Sequence, residues 1–393
     1  MKSEDRVISF GEGLAAVPER LLLAHARGEV LFICGAGVSQ PAGLPDFRQL
    51  VLDVYETLDP PVYEVLTEVP ASACNQWQAN SAGLTDRQSA EVKRFVIGDY
   101  DVVLGLLERR LDDQSRGDSR VRREVIEQLR SGSKNPAAIH KALISLADRG
   151  GSRTIVTTNF DLLLEIAARR HRPRVESYTL GAIPRPSRRP DFAGVLHIHG
   201  AIDKSPTRLS ELVLTDQDFG EFYLRRRVVP DFIYDAARLY HLVLVGYSAN
   251  DPPMRYLLNA VAADGNRFDD LRERFTFFGV NDPIAMEDWK GRGITPIPYD
   301  SADDHSALRA TLERWAKLSA INGKEKIVDA ELRRIVKKSR AAAEESDRDL
   351  FDHLFRRENA SERVRLASVV SKAKADIGWL DAIATVCAEK GQR

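Results

Sequence analysis

The chain has 393 residues, 43% of them hydrophobic and 29% charged, with a formal net charge of −1. That balance belongs to a soluble globular protein with a full core, in two domains or one large one, and it gives no global field to attract nucleic acid or an anionic membrane. No apolar run approaches the roughly 20 residues of a membrane span, and the first residues lack the apolar stretch of a signal peptide. Cys34, Cys74 and Cys387, an odd number without paired spacing, fit a reducing cytoplasm and not a disulfide framework.

Leu14 to Arg27 has apolar residues at helical spacing and stops at Gly28, which predicts a first helix. Val30 to Cys34 is an apolar run long enough for one buried strand. Gln49 to Leu58 reads as a helix that ends at Asp59-Pro60-Pro61. From Pro60 to Lys134 the chain reads as a mostly helical insertion, with patches at Ala90–Ile97 and Val102–Leu111. The charged run Arg109–Arg123 reads as a mobile connection or a solvated helix face. Pro136 suits the first turn of a helix that continues over Ala137–Leu146.

Thr154 to Thr158 is a β-branched run, hence a strand, followed by a helix over Leu162–Arg170. Val195–Ile198, Leu242–Val245, Phe275–Val280 and Thr295–Pro298 read as further strands, and Ala307–Leu318 as a closing helix. The alternation predicts an α/β fold: a parallel sheet covered by helices on both faces, with its ligand beyond the carboxyl ends of the strands. Lys324 to Arg393 reads as a C-terminal helical appendage of two or three helices, with an apolar set including Leu350, Leu354, Leu366 and Leu380.

The densest signal follows the first strand. Gly35, Ala36 and Gly37 let backbone approach a ligand closely, and amides in such a turn can hold a phosphate. The dinucleotide fingerprint G-x-G-x-x-G fails, because Gln40 stands at its third glycine. The continuation does match a family. Gly35-Ala36-Gly37-Val38-Ser39, then Gly43-Leu44-Pro45-Asp46-Phe47-Arg48, resembles the signature of the Sir2 (sirtuin) family, with Leu44 in place of the usual isoleucine. The resemblance implies a Rossmann-like domain that consumes NAD+. It places the pyrophosphate over Gly35, Ala36, Gly37 and Ser39 and the nicotinamide near Asp161, Asp46 and Phe47, with Arg48 also among the residues that bind NAD+.

Four further stretches carry the resemblance. Thr157-Thr158-Asn159-Phe160-Asp161 resembles the family's T-Q-N-I-D, in the variant of the Sir2-like branch found in bacterial antiviral systems. In the family the asparagine holds a ribose hydroxyl and a water, and the aspartate contacts the nicotinamide carboxamide. The same polar residues would equally cap the helix at Leu162. His199-Gly200 resembles the element that carries the catalytic histidine. Strand alternation puts His197 and His199 on one side, and His199 is chosen because it precedes the glycine. A neutral histidine suits proton abstraction from a hydroxyl or water. A metal at this H-x-H pair, or a purely structural histidine, are the competing readings. Gly246-Tyr247-Ser248 resembles a phosphate-binding G-T-S turn, and Asn281 the family's V-N element at the adenine ribose.

One module is missing. Ala201 to Phe219 holds no cysteine where sirtuin deacylases place a four-cysteine zinc ribbon, so no metal is expected. The expectation is therefore an NAD+ hydrolase over residues 1–322, with the helical insertion at about 60–134 and an assembly element at 323–393. Asn159 and His199 are its catalytic pair. Thr158 and Asp161 stand among the residues that bind NAD+. The resemblance further implies a regulated cytoplasmic effector of antiphage defence, homo-oligomeric or paired with a helicase-like ATPase; with a net charge near zero, no direct nucleic-acid or membrane binding is expected. The alternatives are a protein deacylase or ADP-ribosyltransferase, and a non-catalytic NAD or ADP-ribose sensor.

Overall fold

A computed structural model describes residues 6–70, 82–112, 119–131, 135–202, 211–247, 271–279, 283–321, 323–357 and 360–390. A two-stranded antiparallel hairpin, β1 (Val7–Ser9) and β2 (Ala16–Pro18), precedes the main sheet. That sheet has seven strands: β3 (Val30–Cys34), β4 (Thr154–Thr157), β5 (Ser177–Thr179), β6 (Gly194–His197), β7 (His241–Val245), β8 (Arg274–Gly279) and β9 (Ile294–Tyr299). Their order is β5-β6-β4-β3-β7-β8-β9, and every pairing is parallel. The chain builds outward from β3 on one side, then crosses back to start the other side with β7. The switch point of this Rossmann-like sheet therefore lies between β3 and β7, at their carboxyl ends.

β3 is buried at all five positions, as a parallel strand covered on both faces must be. Its alternate side chains feed two layers. Val30, Phe32 and Cys34 join α1 (Glu19–Ala26), the helices that follow β9 and the C-terminal helices in one cluster. Leu31 and Ile33 face the other layer, with Phe219, Tyr223, Phe232 and Ile233. The C-terminal region is wired into the first layer: Glu19 of α1 accepts from Arg356 at 2.6 Å and lies 3.1 Å from His353.

Several expectations change. The predicted helix over Leu14–Arg27 begins only at Glu19, because Ala16–Pro18 pairs with Val7–Ser9 and Pro18 holds an extended backbone. The edge strand β5, three residues long, escapes a pattern search. The C-terminal region has four helices among the described residues, Glu325–Ile335, Glu345–Arg357, Ala360–Lys372 and Ile377–Lys390, not two or three. Leu350, Leu354 and Leu366 are buried as expected, but Leu380 is 42% exposed. The last helix buries Trp379, Ala382 and Val386 instead, which leaves Leu380 just off that face. Among the described residues no helix is long and apolar enough to cross a membrane.

The stretch read as a helical insertion holds α3 (Pro60–Thr67), α4 (Asp86–Val96), α5 (Tyr100–Leu111) and α6 (Arg120–Ser131), which share with the preceding α2 (Phe47–Leu58) a core that includes Tyr55, Leu66, Phe95 and Leu104. Arg122, within the charged run read as mobile or solvated, is instead fully buried. Its guanidinium meets Glu108 of α5 at 3.1 Å, Asp218 at 2.6 Å and the Leu212 carbonyl at 3.1 Å. A buried ion cluster of this kind is costly to break from one side, because the carboxylates left behind have no counter-charge. Arg122→Met should therefore destabilise the protein by about 3–5 kcal/mol in urea unfolding. Adding Glu108→Gln and Asp218→Asn should recover part of that loss.

Candidate functional site

The turns after β3 and β7 touch backbone to backbone. Gly35 N–H donates to the Val245 carbonyl at 3.0 Å and Gly37 N–H to the Gly246 carbonyl at 2.8 Å. Gly246 has φ of +60°, and a Cβ there would stand 2.4 Å from the Val38 nitrogen. Only glycine meets both demands. Ala36–Val38 and Gln40–Ala42 form two short 3₁₀ turns. The amides of Val38 and Ser39 bond back to Gly35 and Ala36. Carbonyls of the turn itself and of the β7 end thus use most of the amides that the glycine motif suggested for a phosphate. Ala36 N–H is the exception among the described residues.

Asn159 leaves the carboxyl end of β4 and is held from several directions. Its Nδ2 donates to the Gly35 carbonyl and to Ser39 Oγ, both at 3.0 Å. Its N–H donates to Thr157 Oγ1 at 3.0 Å, and its carbonyl lies 2.9 Å from His197 Nδ1. The Gly35 contact fixes the amide's orientation, since a carbonyl can only accept. Asn159 Oδ1 is then the group left to face a ligand. Thr158 closes the strand end by donating its N–H to the Cys34 carbonyl at 3.0 Å. Asp161 does two things at once: Oδ1 accepts from the Leu163 N–H, at the start of α8 (Leu163–Ala168), and Oδ2 accepts from Ser39 Oγ at 2.7 Å.

The two histidines part company. β6 ends at His197 and Gly200 turns the chain at φ of +90°, so strand alternation no longer governs His199. His199 Nε2 lies 2.6 Å from Tyr223 OH, with the rings of Phe219 and Tyr223 edge-on around it. Burial pushes its value down to about 3, so the ring is neutral. His197 instead reaches Glu165 of α8, Nε2 to Oε1 at 2.7 Å, and Ser177 Oγ donates to the same oxygen at 2.6 Å. Both nitrogens of His197 face oxygen acceptors, which calls for two ring protons. Burial lowers the His197 value, but the Glu165 carboxylate and the Asn159 carbonyl outweigh it and the net shift is upward. Burial likewise raises Glu165, yet His197 brings it below the usual carboxylate range.

The remaining expected residues divide. Asp46 caps α2 by accepting from the Gln49 N–H at 2.8 Å. Phe47 and Arg48 turn into the insertion: Phe47 meets Tyr100 edge-on, and Arg48 donates to the Val69 carbonyl at 2.6 Å and lies over Phe95. Tyr247 packs against Gly35. Ser248 and Asn281 lie outside the described residues. Two residues were missed by sequence reasoning. Glu165 carried a signal, an acid inside an apolar helix four places after Asp161. His140 of α7 (Ala138–Leu146) carried almost none. It is fully buried 3.4 Å from Ser39 Oγ, and burial holds its value below the ordinary one. Cys34, beside this cluster, is inert, because burial and Asp161 push its thiol up. Among the described residues no three His, Cys, Asp or Glu side chains gather as metal ligands would.

The fold and this cluster define an α/β protein with a polar site at its switch point. Residues 153–297, which run from β4 into β9, match the model of the SIR2-like domain, a domain of NAD-related function. The glycine motif at 35–48 lies ahead of the matched segment. The chain is also similar to "Uncharacterized protein y4cA" of Sinorhizobium fredii (strain NBRC 101917 / NGR234), 36% identical over 317 residues. The match covers 77% of this chain and 24% of that protein, so the chain spans about a quarter of its relative's length.

The His197–Glu165 pair has a pH signature. The His197 value is raised above its ordinary 6.5, so its contribution is complete below that value and is lost as pH climbs through the folded one. The Glu165 value is lowered from 4.5, so its contribution is complete above 4.5 and is lost as pH falls. The stability gap between wild type and Glu165→Gln in urea unfolding should be widest from about pH 4.5 to 6.5 and should narrow on either side. A gap that ignores pH would show that the pair is not ionised.

Proposed function

We propose that this chain is an NAD+ hydrolase that splits the bond between nicotinamide and ribose. The observation that carries the reading is Asn159. Its amide nitrogen and backbone are spent on Gly35, Ser39, Thr157 and His197, while Oδ1 remains to accept from a water or a ribose hydroxyl. The SIR2-like match over 153–297 and the glycine turn at the switch point support the same substrate. In the reaction, the C1′–N bond breaks and its electron pair neutralises the nicotinamide ring. Asn159 orients the water that attacks C1′, and neutral His199 takes the water's proton. Asp161 and Ser39 fix the polar wall beside the reacting bond. Preorganised groups of this kind lower the barrier by positioning and by facing developing charge.

Nε2 of His199 is held by Tyr223 OH, which supports a gated enzyme. By resemblance, the proposal extends to a regulated bacterial antiphage effector that depletes NAD+ in the cytoplasm. It would act as a homo-oligomer or with a helicase-like ATPase partner.

The test is chromatography of nicotinamide and ADP-ribose released from NAD+ by wild type, Asn159→Ala and His199→Ala. Each substitution should lower turnover at least about 10²-fold while NAD+ still binds in calorimetry. Tight binding without turnover in the wild type would make the chain a sensor. NAD-dependent loss of an acyl group from a lysine peptide would make it a deacylase.

A further inference from the structure

The opposite end of the sheet carries a different chemistry. Residues 169–189 hold Arg169, Arg170, Arg172, Arg174, Arg185, Arg188 and Arg189 against a single acid, Glu176, a formal charge of +6 from seven arginines less one glutamate. The whole chain sums to −1, so the excess is local. All seven arginines are exposed. Only Arg188 has an ion pair among the described residues, with Glu29 at 3.3 Å. Arg172 turns back on the carbonyls of Arg169 and His171.

The topology brings both halves of this stretch to one rim. Arg169 and Arg170 follow the last turn of α8, which runs back from the carboxyl end of β4, and the chain then enters β5 at its amino end. The second half is pinned under the amino end of β7 (His241–Val245). Tyr240 OH donates to the Ser187 carbonyl at 2.5 Å, and Arg188 Nη2 donates to the Leu239 carbonyl at 3.0 Å. From β5 to β7 is four strand spacings, a rim of about 19 Å. The second half is also stiff. Phe192 N–H bonds the Arg189 carbonyl, and Phe192 stacks on Tyr240 with Arg149 over both rings.

We propose that this amino-terminal rim is a binding surface for the phosphate backbone of a nucleic acid. Guanidinium groups without carboxylate partners on a fixed backbone suit phosphate, which they can grip with two parallel hydrogen bonds. A protein partner is the poorer fit. Protein interfaces need an apolar centre, and the exposed large hydrophobic residues among the described ones, Val7, Ile97, Leu224, Val364, Ile377 and Leu380, all lie outside this stretch. Nucleic-acid interfaces are the more polar and positively charged class. The expectation of no nucleic-acid partner rested on net charge alone, which averages this rim with an acidic remainder.

The experiment is fluorescence anisotropy of the full chain with labelled single-stranded DNA, duplex DNA and RNA of one sequence. At about 50 mM salt at least one of the three should bind in the micromolar range, and affinity should fall about 10²–10³-fold by 200 mM as four to six phosphate contacts are screened. Which probe binds best identifies the source of the phosphate. Arg172→Glu, Arg174→Glu, Arg185→Glu and Arg189→Glu together should abolish binding and keep the circular dichroism spectrum. Lys337→Glu with Lys338→Glu, two exposed positions in the turn after the helix Glu325–Ile335, should leave it intact. The proposal is overturned if none of the probes binds at low salt, or if the four-arginine variant binds like wild type. It is also overturned if the lysine variant loses as much, or if polyglutamate displaces the probe as well as unlabelled nucleic acid does.

Discussion

The contact of Gly35 and Gly37 with Gly246 is what the rest of the molecule is arranged to permit. Two turns from opposite halves of the sheet meet there with no side chain between them, and a Cβ on Gly35 would stand 2.6 Å from the Gly246 carbonyl oxygen. Because β3 pairs with β7 along its full length, neither turn can retreat without breaking a five-residue register. The crevice at the switch point thus has a floor of backbone, and polar side chains from β4 and β6 supply one wall. The core layers on either side hold those strands at fixed heights.

On that floor, Asn159 is defined by its attachments more than by its place in sequence. One side of it is anchored to the glycine turn and Ser39, the other to His197, which is itself braced by Glu165 and Ser177. Every bond in this chain of supports joins a different element, so the position of one amide oxygen depends on β3, β4, β5, β6 and α8 together. Such overdetermination gives a reacting group its precision, since a displacement of even about 1 Å costs heavily in rate.

How much of this could be read beforehand varies with the range of the interaction. Val30–Cys34 and the glycines after it were legible, because a buried strand and a tight turn are written in adjacent residues. So were Asn159 and Asp161, whose strand-to-helix junction is local. His140 was not, since it reaches Ser39 from 101 positions away on a helix that looks like ordinary core. Phe47 and Arg48 were legible as a motif, yet their side chains are claimed by Tyr100, Val69 and Phe95, partners fixed only when the insertion folds. Arg122 shows the same limit: charge predicts solvent until Glu108 and Asp218 close over it. The assignment of His197 and His199 to one side failed because alternation ends where the strand ends.

The buried Arg122 also links two parts of the molecule. It belongs to the helical insertion, and it grips Asp218, the residue immediately before Phe219, whose ring walls His199. The insertion and the histidine are therefore joined through one ion pair, one peptide bond and one edge-on ring contact. Removing Arg122 would therefore release the anchor next to the ring that walls His199, while the glycine turns keep their strand pairing.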